Sequence, residues 1–323
     1  MGMKFLVTGG LGFIGHNIVS KLESLGHEVV ILDLKTNYGI IPETELDYLI
    51  EQRQSKIKTT HISYNSISNR KVVQMLLDNT NFDVVIHTAS FPRQKVVNTN
   101  PQLGSRVMIE GLLNLLEYSV MFGVKKFVHL SSSMVYGDFD DYISEDSVCN
   151  PIGTYGILKL SGEWLVKDYC KNTDLKYTII RPSAVYGPLD VNDRVVSKFL
   201  TSALNGEDLI VNGVDEKLDF TYVDDLVDGI VSASTTDISN NKTYNMSGGN
   251  ASTIYECAEL IRELVGNNNN IVIKDKNNQY PSRGALNIVK AVLELKYNPN
   301  TDLKTGLTKY HEWLIQNPTL WAR

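Results

Sequence analysis

Short apolar, β-branched runs alternate along the first half of the chain with longer segments whose apolar residues recur at helical spacing. Strands are predicted at Lys4–Thr8, Glu28–Asp33, Ile57–Ile62, Asp83–His87, Lys126–Leu130 and Tyr177–Ile180. Helices are predicted at Phe13–Leu25, Glu43–Gln54, Asn69–Leu77, Pro101–Phe122 and Tyr155–Lys171. Because parallel strands need crossovers long enough to be helices, this alternation predicts an α/β fold with a doubly wound parallel sheet.

The alternation loosens after Tyr186-Gly187-Pro188, where the elements become shorter and turn residues more frequent. The asparagine run Asn267–Asn270 predicts an exposed loop. We therefore expect a smaller C-terminal α/β lobe beside the main sheet. The sheet domain is assigned residues 1–182 and about 217–248, and the lobe, which we expect to bind the substrate, about 183–216 and 249–323.

Composition narrows the class of partner. Of the 323 residues, 42% are hydrophobic and 21% charged, with a formal net charge of −6. This charge offers no basic footprint, so we expect no nucleic acid and no membrane as a partner. No uncharged apolar run approaches the ~20 residues that span a bilayer, and Cys149, Cys170 and Cys257 form neither a CxxC pair nor a disulfide pattern. We expect a cytoplasmic protein without a metal site, whose ligand is a small molecule.

Glycines cluster directly after the first predicted strand, in Gly9-Gly10-Leu11-Gly12-Phe13-Ile14-Gly15. At a strand-to-helix turn, missing Cβ atoms let the backbone approach a pyrophosphate, and the N–H groups and dipole of the following helix attract it. The G-x-x-G-x-x-G spacing is the form that short-chain dehydrogenases use. We therefore assign the following residues to a dinucleotide cofactor: Gly9, Gly12, Phe13, Ile14 and Gly15.

The second predicted strand ends in Asp33, about twenty residues beyond the glycines, where a carboxylate accepts the adenosine ribose hydroxyls and repels a 2′-phosphate. This favours NAD over NADP and a Rossmann-type sheet. Lys35 lies two residues further on; it is a second candidate contact and weakens that preference. The alternative for Asp33 is an exposed strand-end acid without a ligand.

Tyr155 and Lys159 stand four residues apart in a predicted helix and so share one face. A positive charge about 4 Å from a phenol, at an effective dielectric constant of about 20, favours the phenolate by about 4 kcal/mol, or about three pKa units. We therefore expect Lys159 to make Tyr155 a base near neutral pH. Taken alone, the pair is equally consistent with a surface contact. A strand that ends in Ser131, Ser132 and Ser133 supports the catalytic interpretation, since such strand ends face the ligand crevice.

Five segments, in this order and spacing, resemble the nucleotide-sugar epimerase/dehydratase branch of the extended short-chain dehydrogenase/reductases: TGGLGFIG, SSSMVYG, YGILK, RPSAVYGP and LDFTYVDDLV. The resemblance covers almost the whole chain. It implies that Tyr155 is the catalytic base, that Lys159 holds the nicotinamide ribose, and that Ser132 orients the sugar hydroxyl, with Ser133 as the alternative. It also implies further contacts to NAD from Ser66, Ile67, Thr88, Ala89, Ser90, Ser131, Pro182 and Val185.

Departures from the family pattern narrow the reaction. Dehydratases of this family carry Asp-Glu after the catalytic hydroxyl, and decarboxylating relatives place a Glu there, whereas this chain has Ser133 and Met134. Neither side chain is a general acid at neutral pH, so 4,6-elimination is not expected. The 3,5-epimerase/reductase relatives use a cysteine, which this segment lacks. What remains is oxidation and reduction at one carbon.

Other departures concern binding. Ser66 stands where an Asp usually accepts the adenine amino group, and Met108 stands where the family has an Asn, yet we expect the NAD site to remain intact. Leu218 occupies the place of an arginine that often grips the substrate diphosphate, whereas Arg283 matches the family's other phosphate-binding arginine. Arg194 is a further candidate, and for both arginines a solvated surface cation is the alternative. The substrate is assigned Ser132, Ser133, Ala184, Arg194 and Arg283.

These residues lead to three hypotheses. The first is a nucleotide-sugar epimerase, acting most often at C4, in which Tyr155 removes the hydroxyl proton, hydride passes to NAD and then returns to the opposite face of the ketosugar. The second is a net oxidoreductase that makes or consumes a ketosugar nucleotide with the same residues. The third is a non-catalytic NAD-binding regulator, against which the intact Tyr155, Lys159 and Ser132 argue.

The assembly is also expected from the family. The long predicted helices Pro101–Phe122 and Tyr155–Lys171 have apolar faces that pair across a two-fold axis in these proteins. We therefore expect a homodimer. The motifs determine neither the sugar nor the nucleotide.

Overall fold

A computed structural model describes residues 2–36, 38–91, 94–191, 193–276 and 280–322. Strands and helices alternate through the first half of the chain. In order they are β1 Lys4–Thr8, α1 Phe13–Ser24, β2 Glu28–Leu32, α2 Glu43–Gln54, β3 Ile62–Ser63, α3 Arg70–Asp78, β4 Val84–His87, α4 Gln94–Thr99, α5 Pro101–Ser105, α6 Gly111–Met121, β5 Lys126–Leu130, α7 Gly153–Lys171 and β6 Lys176–Pro182.

The elements of the second half are shorter. They are β7 Val185–Tyr186, α8 Val195–Leu204, β8 Leu209–Asn212, β9 Lys217–Asp219, β10 Thr221–Tyr222, α9 Val223–Thr235, β11 Lys242–Met246, β12 Ala251–Thr253, α10 Ile254–Val265, β13 Ile271–Lys274, α11 Val289–Leu295 and α12 Leu303–Gln316. β11 returns to the main sheet, whereas β7 pairs with β10, β9 with β12, and β8 with β13.

The main sheet has seven parallel strands in the order β11-β6-β5-β4-β1-β2-β3. Alternate residues of β1 face opposite sides. Phe5 and Val7 pack in one core cluster with α1 and α9, and Leu6 packs in the other with α6 and α7. Both faces are therefore buried under helices, as a parallel sheet requires, and the carboxyl ends of the strands remain as the open edge.

One predicted strand differs from the structure. The predicted strand Ile57–Ile62 is wrong, since β3 comprises Ile62–Ser63 only. The backbone N–H groups of Lys58 and Thr59 donate to the Glu23 carboxylate, and the Thr59 hydroxyl donates to the Val29 carbonyl. These side-chain bonds hold the preceding segment outside the sheet ladder. Helix α4 was not predicted.

The predicted helix Pro101–Phe122 contains a π-helical turn, Arg106–Glu110, between α5 and α6. The Arg106 carbonyl accepts a hydrogen bond from the Gly111 N–H, five residues on, and another from the Ser68 hydroxyl at 2.9 Å. A Cβ at Gly111 would lie 2.6 Å from the Ile67 side chain. An inserted side chain in the hydrogen-bond ladder thus accounts for the irregular turn.

The Asn267–Asn270 segment is a loop, as predicted, but it is not exposed throughout. Asn269 is buried and donates through its side chain to the Glu207 carbonyl at 2.7 Å. Cys149, Cys170 and Cys257 are free thiols. Among the helices that the structure describes, none has the length and apolarity needed to cross a bilayer.

Candidate active site

The open edge of the main sheet carries two adjoining cavities. The first, here called the glycine cleft, runs along the turn between β1 and α1 and past the ends of β2, β4, β5 and β6. The second, the lobe cavity, has a volume of about 790 Å³ and extends to β8 and β9. The residues that line both cavities are Ser132, Tyr155, Pro182, Ala184, Val185 and Arg194.

The turn between β1 and α1 is built from glycines because side chains do not fit. Gly9 has a φ of 72°, and a Cβ there would lie 2.8 Å from the Ala89 backbone. A Cβ at Gly15 would lie 2.0 Å from the Gly9 carbonyl oxygen. Gly12 is the N-cap of α1 and provides no side-chain cap. The first N–H groups of α1 are therefore available to an anion in the cleft, which fits a cofactor pyrophosphate.

Asp33 lies in the glycine cleft directly after β2. Its carboxylate accepts the Leu11 N–H at 2.9 Å and the Lys35 N–H at 2.7 Å. Burial raises the pKa of Asp33, while these two bonds and the charge of Arg53 oppose the rise. The structure places the Lys35 side chain outside the cleft, since its ammonium pairs with Asp47 at 3.3 Å. Lys35 is therefore the one predicted cofactor residue that does not line the cleft.

The other predicted cofactor residues all line the glycine cleft: Gly9, Gly12, Phe13, Ile14, Gly15, Asp33, Ser66, Ile67, Thr88, Ala89, Ser90, Ser131, Tyr155, Lys159, Pro182 and Val185. Sequence analysis missed the aromatic pair Tyr38 and Phe91, whose ring centroids lie 4.2 Å apart in the cleft wall. It also missed Arg53. No local motif marks these three residues, because each reaches the cleft through tertiary packing.

The candidate catalytic residues meet at the junction of the two cavities. Tyr155 lies in the first turn of α7, and Lys159 follows one turn later with its Nζ 5.8 Å from the Tyr155 ring centroid. Lys159 is buried and donates to the Leu130 carbonyl at 2.7 Å. Ser132 lies after β5, and its hydroxyl accepts the Met134 N–H at 3.2 Å. The structure thus brings together the three side chains that the sequence assigned to catalysis.

The electrostatics of Tyr155 and Lys159 depend mainly on burial. Burial raises the pKa of Tyr155, against the opposing charges of Arg194 and Arg283 and a hydrogen bond with Ser132. Burial also lowers the pKa of Lys159 to about 8, against the charge of Glu163. Desolvation of the phenol is therefore the largest effect on the pKa of Tyr155, and the expectation that Lys159 makes Tyr155 a base near neutral pH stays a prediction.

The two arginines assigned to the substrate are placed differently. Arg194 lies just before α8, donates to the Val185 carbonyl at 3.2 Å, and its guanidinium carbon lies 6.0 Å from the centre of the Phe13 ring. Arg283 is half-buried in the wall of the lobe cavity. Across the described residues its guanidinium has no hydrogen bond or ion pair, and burial lowers its pKa to about 10. Neither arginine is a freely solvated surface cation.

Small side chains complete the junction. Ser133 is fully buried in the wall of the lobe cavity, and its hydroxyl has no hydrogen-bond partner among the described residues. Ala184 lines both cavities with a φ of 33°. Leu218 lines the lobe cavity beside Phe220.

The sequence model of the NAD dependent epimerase/dehydratase family matches residues 5–247 of the chain. The chain belongs to this family. Two relatives have similar sequences. The uncharacterized UDP-glucose epimerase YtcB of Bacillus subtilis is 29% identical and covers 95% of this chain and 96% of its own length. The UDP-glucuronic acid decarboxylase 1 of Xenopus tropicalis is 30% identical and covers 95% of this chain and 70% of its own length.

The fold of this epimerase/dehydratase matches solved structures along its length. The crystal structure of UDP-glucuronic acid 4-epimerase from Bacillus cereus, in complex with UDP-glucuronic acid and NAD, superimposes with a TM-score of 0.89 at 29% identity. The alignment covers 98% of this chain and 100% of that protein. The predicted Rossmann-type α/β fold is confirmed, and the chain is an enzyme with NAD as its cofactor.

Beneath the candidate catalytic residues of the epimerase/dehydratase lies a buried network that sequence analysis missed. Arg181, at the end of β6, donates to both carboxylate oxygens of Glu163 at 2.9 and 2.6 Å. It also donates to the Tyr136 hydroxyl at 2.8 Å and the Glu145 carbonyl at 3.1 Å. The Ser131 hydroxyl donates to Glu163 at 2.6 Å. The network thus joins α7, β6 and the serine segment into one support.

Proposed function

We propose that this chain is an NAD-dependent nucleotide-sugar epimerase that acts at C4 through a transient 4-ketosugar. The observation that carries the proposal is that the glycine cleft and the lobe cavity meet at Tyr155 and Ser132. A sugar held in the lobe cavity would therefore lie beside these two side chains where it meets the cofactor. Removal of the hydroxyl proton and transfer of hydride take place at one point.

The residues of the glycine cleft fit NAD. The free N–H groups at the start of α1 would hold the pyrophosphate, Asp33 the adenosine ribose, and Lys159 with Tyr155 the nicotinamide ribose. When bound, NAD supplies an acceptor that takes a hydride from the sugar and gives it back within one cycle. This role requires no net oxidant, so the enzyme completes an epimerisation without a second substrate.

The chain's own residues move the proton. Tyr155 takes the proton from the sugar hydroxyl, and the Ser132 hydroxyl forms a hydrogen bond with the same sugar oxygen. The positive charges of Arg194 and Arg283 favour the phenolate against the effect of burial. Both arginines therefore oppose the raised pKa of Tyr155 before the sugar nucleotide binds.

We propose that the substrate is a UDP-sugar with its diphosphate on Arg283. Arg283 has no other counter-charge within bonding distance in the described chain, and its cavity, at about 790 Å³, is large enough for such a ligand. The names of the relatives, UDP-glucose epimerase and UDP-glucuronic acid 4-epimerase, support this class. Decarboxylation is not proposed, because Ser133 and Met134 offer no acid where decarboxylating relatives carry one.

The decisive experiment supplies UDP-glucose or UDP-glucuronic acid to the purified enzyme and follows both the product and the absorbance at 340 nm. Epimerisation gives the C4 epimer without net NADH. Net accumulation of NADH would instead favour the alternative, a nucleotide-sugar oxidoreductase. Tyr155→Phe should lower turnover by about 10²- to 10⁴-fold, whereas Tyr142→Phe, at an exposed tyrosine, should leave it unchanged. Full turnover by Tyr155→Phe would remove this mechanism, whereas the absence of turnover in the native protein would favour the non-catalytic regulator.

We further propose a homodimer. Ile157 and Trp164 lie seven residues apart on α7, 50% and 61% exposed, and so share one face. Met121 on α6 is also 59% exposed. Apolar side chains of this size are candidates for a helix-pair interface. Sedimentation should give twice the chain mass for the native enzyme and the chain mass for Trp164→Glu.

The domain division and the location are also proposals. Residues 1–182 with about 217–248 would bind NAD, and about 183–216 with 249–323 the sugar nucleotide. The three free cysteines suit the reducing cytoplasm. Limited proteolysis with and without each ligand tests the division, and cell fractionation tests the location.

A further inference from the structure

One buried arginine joins two walls of the glycine cleft. Arg53, in the last turn of α2, is 3% exposed. Its Nη1 donates to the Leu11 carbonyl at 3.0 Å, while Nε and Nη2 donate to the Leu189 carbonyl at 3.2 and 2.7 Å. Leu11 belongs to the glycine turn, whereas Leu189 belongs to the segment between β7 and α8. No other side chain described here donates to both walls.

Both carbonyls that Arg53 binds belong to segments whose conformation depends on tertiary contacts. Leu189 has a φ of 67°, a left-handed backbone conformation that is unfavourable for leucine and persists only where the surroundings impose it. The Leu11 peptide is fixed from the opposite side by the bond of its N–H to Asp33. Removing Arg53 would therefore release both the strained segment and one half of the support of the glycine turn.

The charge of Arg53 is maintained inside the protein. Burial lowers its pKa to about 10, and the charges of Asp190 and Asp33 oppose the decrease. Asp190, itself 4% exposed, lies beside Leu189 and lines the cleft with Val191 and Arg194. Arg53 thus stays protonated at neutral pH and holds the carbonyls with charge-assisted bonds.

We propose that Arg53 forms a clasp that retains NAD in the enzyme: by binding the carbonyls of both Leu189 and Leu11, it holds residues 187–191 against the glycine cleft. The inference rests on the proposed function, because an epimerase must keep the reduced cofactor until hydride has returned to the sugar. Arg53 is a positioning residue, and it acts through the two carbonyls.

The test compares the native enzyme with Arg53→Met, which fills a similar volume without donors, and Arg53→Lys, which keeps the charge but replaces the three donor nitrogens of the guanidinium with one ammonium nitrogen. Arg262→Gln, at a half-buried arginine on α10 whose guanidinium lies 3.8 Å from the Glu259 carboxylate, is the matched control. Each protein is loaded with NADH, and release is followed by fluorescence with excess NAD present. Arg53→Met should release NADH at least about tenfold faster, equivalent to about 1.4 kcal/mol. Arg53→Lys should lie between it and the native rate, and Arg262→Gln should match the native rate.

A merely structural role predicts a different pattern. Arg53→Met would then lower the melting temperature of the NAD-free protein while NADH left at the native rate, and this result overturns the clasp. If Arg53→Met does not fold, Arg53→Lys decides alone, with an unchanged release rate again overturning the proposal. The release assay uses no sugar nucleotide, so failure of the proposed epimerase activity and failure of the clasp are separate results.

Discussion

Arg181 and Arg283 lie near the same candidate catalytic residues, but in the part of the chain that the structure describes the charge of Arg181 is paired and that of Arg283 is not. Arg181 is 3% exposed and bonds to Glu163, Tyr136 and the Glu145 carbonyl. Arg283 faces the lobe cavity and, within the described residues, bonds to nothing. Cations removed from solvent therefore serve two purposes in this protein. Arg181 supports the fold and has its counter-charge within the protein, whereas Arg283, which we propose to bind the substrate, has none among the described residues.

Their pKa values move in opposite directions for this reason. The bonds and charge of Glu163 raise the pKa of Arg181 despite its burial. Burial lowers the pKa of Arg283 to about 10, and the more distant charges of Glu216 and Tyr155 only partly oppose it. An anion bound at Arg283 would supply the compensation that Glu163 gives Arg181.

The largest expected effect comes from breaking the compensated pair. Arg181→Met leaves the Glu163 carboxylate buried without its cation, so we expect a loss of about 3–5 kcal/mol in the free energy of unfolding. Urea denaturation measures it. The control is the double variant Glu163→Met/Arg181→Met, which should be more stable than Arg181→Met alone. Equal stability of the native protein and Arg181→Met would contradict the structural role.

Removing the uncompensated cation should act on binding instead. Arg283→Met should weaken binding of the UDP-sugar about 10- to 100-fold, as expected for losing charge-assisted bonds of about 1.5–3 kcal/mol. The melting temperature without substrate should not fall, because the replaced charge had no partner in the described chain. Calorimetric titration and thermal unfolding measure the two quantities. A lower melting temperature with unchanged affinity would reverse the assignment of Arg283.

Lys159 is a third cation removed from solvent, and its effect on activity can be tested by varying the pH. Its pKa is lowered from 10.5 to about 8, so raising the pH past about 8 removes its charge, and kcat/KM should decline there. Lys159→Arg should retain the charge and abolish this decline in whatever activity remains. Because the unfolded chain binds more protons between these two values, stability should rise with pH over the same interval. A decline in activity that Lys159→Arg leaves in place would assign it to another group.

The smallest effect is expected from adding a cation. Leu218→Arg places a second charge in the lobe cavity, and we expect about threefold tighter binding of the UDP-sugar, the scale of a partly exposed ion pair. In the Arg283→Met background the same change should recover part of the lost affinity. Titration of the two variants checks both expectations. Weaker binding in both backgrounds would show that the diphosphate lies elsewhere.

Local patterns in the sequence were enough to predict the parts of the site that short-range geometry determines. The glycine turn, Asp33 at the end of a strand, and Tyr155 with Lys159 on one helical face follow from rules spanning a few residues. The same rules placed Lys35 beside Asp33, but an ion pair with Asp47 turns it away. The position of the Lys35 side chain depends on Asp47 in α2, and a rule for residues at the end of a strand does not include that helix.

Contacts between distant segments were not predictable in this way. Arg53 meets a carbonyl 136 positions away, and nothing near it in the sequence marks it as part of the cleft. Burial of Tyr155 likewise arises from several elements at once, so its pKa could not be inferred from the spacing to Lys159. The general fold survives such omissions, because the alternation of strands and helices is repeated many times along the chain.

The π-helical turn at Arg106–Glu110 has a consequence for how this chain tolerates deletions. One extra residue in a turn rotates everything after it by about 100° relative to an uninterrupted helix. Leu112, Leu115 and Leu116 reach the core from α6 only with that rotation. Excising one residue from the turn would remove the extra residue and the rotation together, so the regular helix that results would still point these leucines toward the sheet, and we expect the chain to tolerate this deletion.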